Sequence, residues 1–364
     1  MSHAVRFIAV LFPVLGIAAL AVLVLPRMSA QAKDPVAEEA EALIEVELPT
    51  PEEAALDRRL NEIGSKFAGQ VGIAVRPVES DRTMHYRGLE PFPQQSVTKT
   101  WVALAAFRQV DEGKLALDEP RIVRREDLTL FHQPIRAEVL RKGSVSTDYA
   151  DLLDRALTRS DNTANDVILR RVGGPDAVQG TLDKLGLGSI RFGTDERTKQ
   201  SATAGLTWQQ AYSLERNFYD ARDAVPDEDR RAAYEGYLAD PIDGAPPVAV
   251  VAALARLAKG ELLSDDSTER FLKILSETRS GPNRLKGGLP PGWTIAHKTG
   301  TGQALVHEQT GYNDIGLITA PDGRRYAVAV MIARTEQRVP ERMAMMHEVV
   351  AAVVEYHEAT SLPD

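Results

Sequence analysis

The chain has 364 residues, 43% hydrophobic and 26% charged, a globular balance with length for one large domain or two ordinary ones. A net charge of -9 argues against a nucleic-acid partner, which calls for a basic face. With no cysteine, disulfides, thiolate chemistry, zinc–cysteine sites and a lipid-bearing cysteine are all excluded.

His3 and Arg6 precede an apolar run from Phe7 to Leu25, and Ala30-Gln31-Ala32 offers a small-residue cleavage site. The reading is a secretory signal over residues 1–32 and export to the periplasm. The run is nearly long enough to span a bilayer and Arg27 stands close to the cut, so an uncleaved anchor in the inner membrane is the alternative. Residues 33–50 are acidic and rich in Ala, Glu and Pro, and read as a linker.

From Pro51, the spacing of Leu56, Leu60, Ile63 and Phe67 predicts an amphipathic helix with Thr50 as its cap. Val71–Val78 and Thr83–Arg87 read as a hairpin around Glu79-Ser80-Asp81. A helix carrying Ser96 and Lys99 follows and ends near Gly113. The stretch to Lys142 has no clear period. Ser146 or Thr147 then caps a helix through Leu157, and Thr158–Asp166 reads as a polar break. A helix over Val167–Val172 stops at Gly173-Gly174-Pro175. Leu182–Leu187 is a short helix, and Phe192–Ala204 a long ordered loop. Leu206–Asp243 reads as a helical hairpin split at Pro226, and Val248–Leu257 and Phe271–Ser276 as helices. Strands follow at Gly292–His297, Asp314–Thr319 and Tyr326–Ile332, and a closing helix runs from Glu341 to His357. Strands therefore lie at both ends of the chain and helices in the middle. The expected fold is α+β: an antiparallel sheet lobe built from residues 51–90 and 280–364 with packed helices, an all-helical lobe over 91–279, and a cleft between them.

Three short signals stand in order. Ser96-Val97-Thr98-Lys99 puts a serine and a lysine on one helical face, where a lysine whose charge is disfavoured by burial could take the serine's proton. Alone, S-x-x-K occurs roughly once in a chain of this length by chance. In Ser160-Asp161-Asn162 the hydroxyl can pass a proton onward and the amide can hold a substrate amide. In Lys298-Thr299-Gly300, followed by Thr301 and Gly302, a fixed cation and two hydroxyls suit a carboxylate, and the glycines let a ligand lie close to the strand. Metal catalysis is set aside, because His347-Glu348 lacks the second histidine of H-E-x-x-H, Ala351 standing in its place.

At these residues the chain resembles the penicillin-recognising serine hydrolases, specifically the class A β-lactamases, for which this motif set is known. The likeness extends through Ser160–Pro175, Arg284–Trp293 and Asn313-Asp314-Ile315 and covers roughly Val71 to the C-terminus. It implies a β-lactamase/transpeptidase-like fold and an acyl-enzyme on Ser96, with Lys99 and Ser160 relaying protons. The N–H groups of Ser96 and Thr301 would form an oxyanion hole, and Asn162, Lys298, Thr299, Gly300 and Thr301 would bind substrate. The family's spacing from the SDN motif lands on Glu196, with Gln200 four residues on, as the holder of the deacylating water. The usual E-x-x-L-N here reads Glu-Arg-Thr-Lys-Gln, so a solvated charge cluster is the competing reading. Either Lys99 or Glu196 could serve as the acylation base. The segment 206–243 is longer than the family's and is either a packing insertion or a cleft wall. No second arginine for a substrate carboxylate is placed, Arg334, Arg338 and Arg342 being the candidates. The resemblance implies no metal or cofactor, a small-molecule β-lactam substrate, no nucleic acid, no membrane contact beyond an uncleaved anchor, and a monomer. The rival functions are a DD-peptidase or penicillin-binding protein acting on peptidoglycan, and a β-lactam or cell-wall sensor without turnover.

Overall fold

The computed structural model describes residues 48–361, and Pro49 onward forms one compact unit. The signal or anchor of residues 1–32 and nearly all of the acidic linker lie outside the described residues. Helix α1 (Pro51–Lys66) starts as its cap predicts: Thr50 Oγ1 accepts from the Glu53 N–H at 3.1 Å, and Glu53 Oε2 accepts from the Thr50 N–H at 3.0 Å. Strands β1 (Gln70–Pro77) and β2 (Met84–Tyr86) make the expected hairpin, and β3 (Phe92–Pro93) leads into the Ser96 segment. That segment is a 3₁₀ turn over Gln95–Thr98, from which helix α2 (Lys99–Asp111) continues.

Several boundaries in the middle differ from the sequence reading. The unassigned stretch holds β4 (Pro120–Arg124) and helix α3 (Ile135–Lys142), and β4 pairs with β5 (Ser144–Asp148). Ser146 and Thr147 therefore sit in a strand opposite Ile122 and Arg121, and the cap of α4 (Tyr149–Thr158) is Asp148, which accepts from the Asp151 N–H at 2.8 Å. The polar break is short, because the Asp161 carboxylate caps α5 (Asn162–Val172). Pro175 does not only stop a helix; it is the first residue of α6 (Pro175–Lys184), a position where its missing N–H costs nothing. The expected loop at 192–204 contains α7 (Glu196–Thr203). Its inward residues, Glu196, Lys199, Gln200 and Thr203, have helical spacing but polar side chains, so an apolar period could not reveal it.

The long segment does split near Pro226, into α8 (Asn217–Asp223) and α9 (Asp227–Ala239), followed by β6 (Gly244–Ala245), which pairs with β3. Helices α10 (Pro247–Ala258) and α11 (Asp265–Ser276) complete the middle. The chain returns through β7 (Thr294–Thr301), β8 (Ala304–Leu305), β9 (Glu308–Thr319), β10 (Arg325–Thr335) and the closing helix α12 (Val339–Ala359). Strands from both ends form one antiparallel sheet in the order β2-β1-β10-β9-β7, with β8 on β9.

Alternation along β1 and β10 sorts their side chains into two cores. Ile73, Val75, Val328, Val330 and Ile332 pack under α1 and α12. Ala74, Ala327, Ala329 and Met331 face the helices of the middle, and small residues there let α10 lie close to the sheet. Strand β7 is the sheet edge beside those helices. Among the described residues no helix is long and apolar enough to cross a membrane.

Candidate active site

Ser96 lies on the 3₁₀ turn and Lys99 opens α2, which brings Lys99 Nζ to 2.8 Å from Ser96 Oγ. The lysine is 1% exposed, and burial holds its ammonium below the ordinary lysine value although Glu196 pulls the other way. The turn is fixed from behind. Gln95 adopts φ +56°, and its N–H donates to Asp243 Oδ2 at 2.9 Å while its Nε2 donates to Tyr237 Oη at 2.7 Å. Such a backbone is uncommon outside glycine and persists only where its surroundings over-determine it.

Ser160 also sits at positive φ, +56°, and Lys298 Nζ donates to its Oγ at 3.0 Å and to the Thr299 carbonyl at 2.8 Å. Lys298 is fully buried, and desolvation, with Lys99 and Arg284 nearby, pushes its value well below the usual one. Asp161 builds the scaffold: its carboxylate accepts from the N–H groups of Ala164 at 3.0 Å and Ile135 at 2.7 Å, joining α3 to α5. Asn162 donates one N–H of its NH2 to the Leu130 carbonyl at 2.9 Å, and its buried Oδ1 has no partner and can accept from an amide.

On β7, Thr299 Oγ1 lies 2.7 Å from Ser280 Oγ. A Cβ on Gly300 would lie 2.4 Å from the Gln94 carbonyl, so the close approach of the Ser96 turn by itself requires glycine here. Gly302 is likewise crowded, by the Thr310 carbonyl. An arginine that the sequence reading passed over, Arg284, lines the cleft. It donates to the Gly300 carbonyl at 2.8 Å, the Asn313 carbonyl at 2.6 Å and Thr301 Oγ1 at 2.5 Å, and stacks on the Tyr312 ring at 3.8 Å. The three candidates are engaged elsewhere: Arg334 with Glu235 and Glu308, Arg338 with Glu341, and Arg342 with the Gln337 carbonyl. His297 faces away from the cleft and pairs with Asp314 at 2.9 Å, and His347 meets the Asn283 carbonyl at 2.9 Å.

Glu196 is no solvated cluster. It is 5% exposed, with Oε1 accepting from Gln200 Nε2 at 2.9 Å and Oε2 lying 3.2 Å from Lys199 Nζ. Desolvation opposes its charge, but Lys199 and Lys99 overcome it and hold the carboxyl at about 2. Lys199, itself buried, also lies 3.1 Å from Asp243 Oδ2 and 3.3 Å from the Gln95 carbonyl. Beside them Asp166 accepts from the Glu196 N–H at 3.3 Å, and burial together with the charges of Asp195 and Glu196 raises it to about 6. A carboxyl raised in the native state contributes stability that is present at about pH 4 and below and lost as pH rises through about 6. Asp166→Asn is therefore expected to melt as more stable than the native protein by ~2 kcal/mol at pH 8, with no gain at pH 4.

Ser96, Ser160, Asn162, Glu196, Thr299 and Thr301 all line one cleft of about 490 Å³. The long segment 206–243 both packs and walls it. Phe218 meets Phe131 edge-on at 5.1 Å in a small aromatic cluster with Trp208 and Tyr212, while Phe131 and Arg222 line the cleft.

A family model described as "Beta-lactamase enzyme family" matches residues 55–357. Among the relatives, the extended-spectrum beta-lactamase PER-1 of Pseudomonas aeruginosa is 28% identical over 81% of this chain and 84% of its own length. Beta-lactamase VEB-1 of the same organism is 28% identical over 74% of this chain and 79% of its own. The solved structure of a beta-lactamase from Chitinophaga pinensis superposes with a TM-score of 0.68 at 27% identity, covering 84% of this chain and 99% of that one. With its model matched over most of its length, the chain belongs to the β-lactamase enzyme family, in the class A type of its serine hydrolases.

Proposed function

We propose that the protein hydrolyses the amide bond of β-lactams through an acyl-enzyme on Ser96, and that Glu196 activates the water that releases it. The observation that carries this reading is the buried Lys99, hydrogen-bonded to Ser96 in a cleft that also holds an ionised, buried glutamate. In acylation Ser96 Oγ attacks the lactam carbonyl as its proton leaves to Lys99 or, through water, to Glu196. The C–N bond then breaks, and Ser160, backed by Lys298, delivers a proton to the departing nitrogen. The Ser96 and Thr301 N–H groups would receive the carbonyl oxygen. Lys298 reaches the Thr299 carbonyl at the open edge of β7, and Thr301, two residues on, directs its N–H the same way. Lys298, Thr299, Thr301 and Arg284 supply the cation and donors for a substrate carboxylate, and Asn162 Oδ1 accepts from the side-chain amide N–H. Water held by Glu196 then attacks the ester and frees Ser96. A penicillin-binding protein has no use for such a glutamate, and this favours hydrolysis over peptidase or sensor roles.

Intact mass of the purified protein, taken seconds and then an hour after a limiting excess of penicillin, tests the proposal. A transient adduct that vanishes as the drug is consumed is the expected result. A lasting adduct, or none, would overturn it. The same spectrum reads the mature N-terminus, where export with cleavage after Ala32 would leave Lys33 first.

A further inference from the structure

Beside the cleft lies a second chamber of about 230 Å³. Arg222, Gln303 and Ala304 line both spaces, and Thr203, Arg230 and Tyr234 help to close the smaller one. Arg222, Arg230 and Tyr234 all belong to the long segment 206–243. The chamber's charge is one-sided: two guanidiniums line it, and among the described residues no carboxylate does.

The arginines' own acids lie outward and hold them loosely. Arg222 is 3.4 Å from Asp223, and Arg230 is 3.9 Å from Asp223 and 3.3 Å from Asp227, whose side chains are 56% and 96% exposed. Exposed pairs of this kind contribute little, so both guanidiniums keep donors in reserve. The Nε of each is buried without a hydrogen-bond partner. Arg222 is also steadied by the Tyr219 ring at 5.3 Å. A planar fork with unused donors, partly withdrawn from water, suits a carboxylate better than any neutral group.

We propose that this chamber is a second anion site, which receives a carboxylate carried on the acyl side chain of the β-lactam. The inference rests on the proposed hydrolysis. With the ring carboxylate at Thr299 and the reacting carbonyl at Thr301, the edge of β7 leads next to Gln303 and Ala304, at the chamber mouth. The acyl substituent, held by its amide at Asn162, is the part of the substrate left to extend there.

The test is a matched pair of cephalosporins that differ only in a carboxylate or its methyl ester at the end of the acyl side chain. In the native protein kcat/KM should favour the acid. In Arg222→Ala and in Arg230→Ala the acid-to-ester ratio of kcat/KM should fall about tenfold, mostly through KM, with partial recovery in Arg222→Lys. A substitution that merely loosens the fold lowers both values and leaves the ratio alone. An unchanged ratio in both alanine variants overturns the proposal. If the native protein acylates with neither compound, the hydrolytic reading falls, and this inference falls with it.

Discussion

Glu196→Gln is expected to form the acyl-enzyme and then stop, with the drug trapped on Ser96 and steady-state turnover down about 10³-fold, the scale of a lost general base. The substitution keeps the side chain's length and its acceptor toward Gln200, but removes the charge that polarises water. Rapid-mixing mass spectrometry would show a burst of one adduct per chain that persists for minutes or longer. The acylation rate in the same experiment separates the two candidate bases. If it is unaffected, Lys99 at 2.8 Å from Ser96 takes the proton alone; if it falls in step, Glu196 serves both half-reactions. Unchanged turnover would remove Glu196 from the mechanism.

The second large effect concerns Lys199, which stands where the family usually has leucine. Its ammonium joins Glu196, Asp243 and the Gln95 carbonyl at 3.1–3.3 Å in a space with almost no solvent. Glu196 also faces Lys99 from α2 and Lys298 from β7, against Asp166 from α5, Asp195 beside it and Tyr237 from α9. Lys199 is the nearest cation and contributes most to holding the carboxyl at about 2. An acid depressed in this way stays ionised, and lends stability, until pH falls through about 2. Deacylation in the native protein should accordingly be flat from neutrality to about pH 4. Removing Lys199 alone would strand two buried carboxylates, a change that costs about 3–5 kcal/mol. The readable variant is therefore Lys199→Met with Asp243→Asn. Its deacylation should acquire an acidic limb shifted upward by about two pH units, and Lys199→Arg should restore the native profile. A profile that keeps its native shape in the double variant would show that Lys99 and Lys298 suffice.

What the sequence made legible follows from where each signal is written. The two-ended sheet shows in the alternation of β1 and β10, and the first helix in Thr50-Pro51 and its apolar stripe. Ser96, Lys99, Ser160 and Lys298 sit at motif spacings, and the fold joins each lysine to its serine across 2.8–3.0 Å. Other features depend on partners distant in the chain. Helix α7 buries polar residues because its neighbours are Gln95 and Asp243, some hundred and some forty positions away, so its period carries no apolar mark. Nothing local distinguishes Arg284 from Arg334 or Arg342. Only the meeting of β7 with β9 supplies the two carbonyls and the Tyr312 ring that hold it at the site. Asp148 lost the cap to Ser146 and Thr147 in the reading because all are good caps, and strand pairing with β4 decided between them.

The contact of Gly300 with the Gln94 carbonyl bears on how this cleft can change over generations. Asn313 fastens the same turn by donating to the Pro93 carbonyl at 2.7 Å and the Gln94 carbonyl at 3.0 Å, so nucleophile and strand edge are locked backbone to backbone. A single methyl group at residue 300 would push them apart, and no repacking of side chains could absorb it. The opposite wall is of another kind. The segment 206–243 lines the cleft and its chamber through Arg222, Arg230 and Tyr234, none of which is hydrogen-bonded to Ser96, Lys99, Ser160 or Lys298. Adaptation to new substrates thus has one free hand: heritable variation can recut the inserted wall, while position 300 at the strand edge is held to glycine.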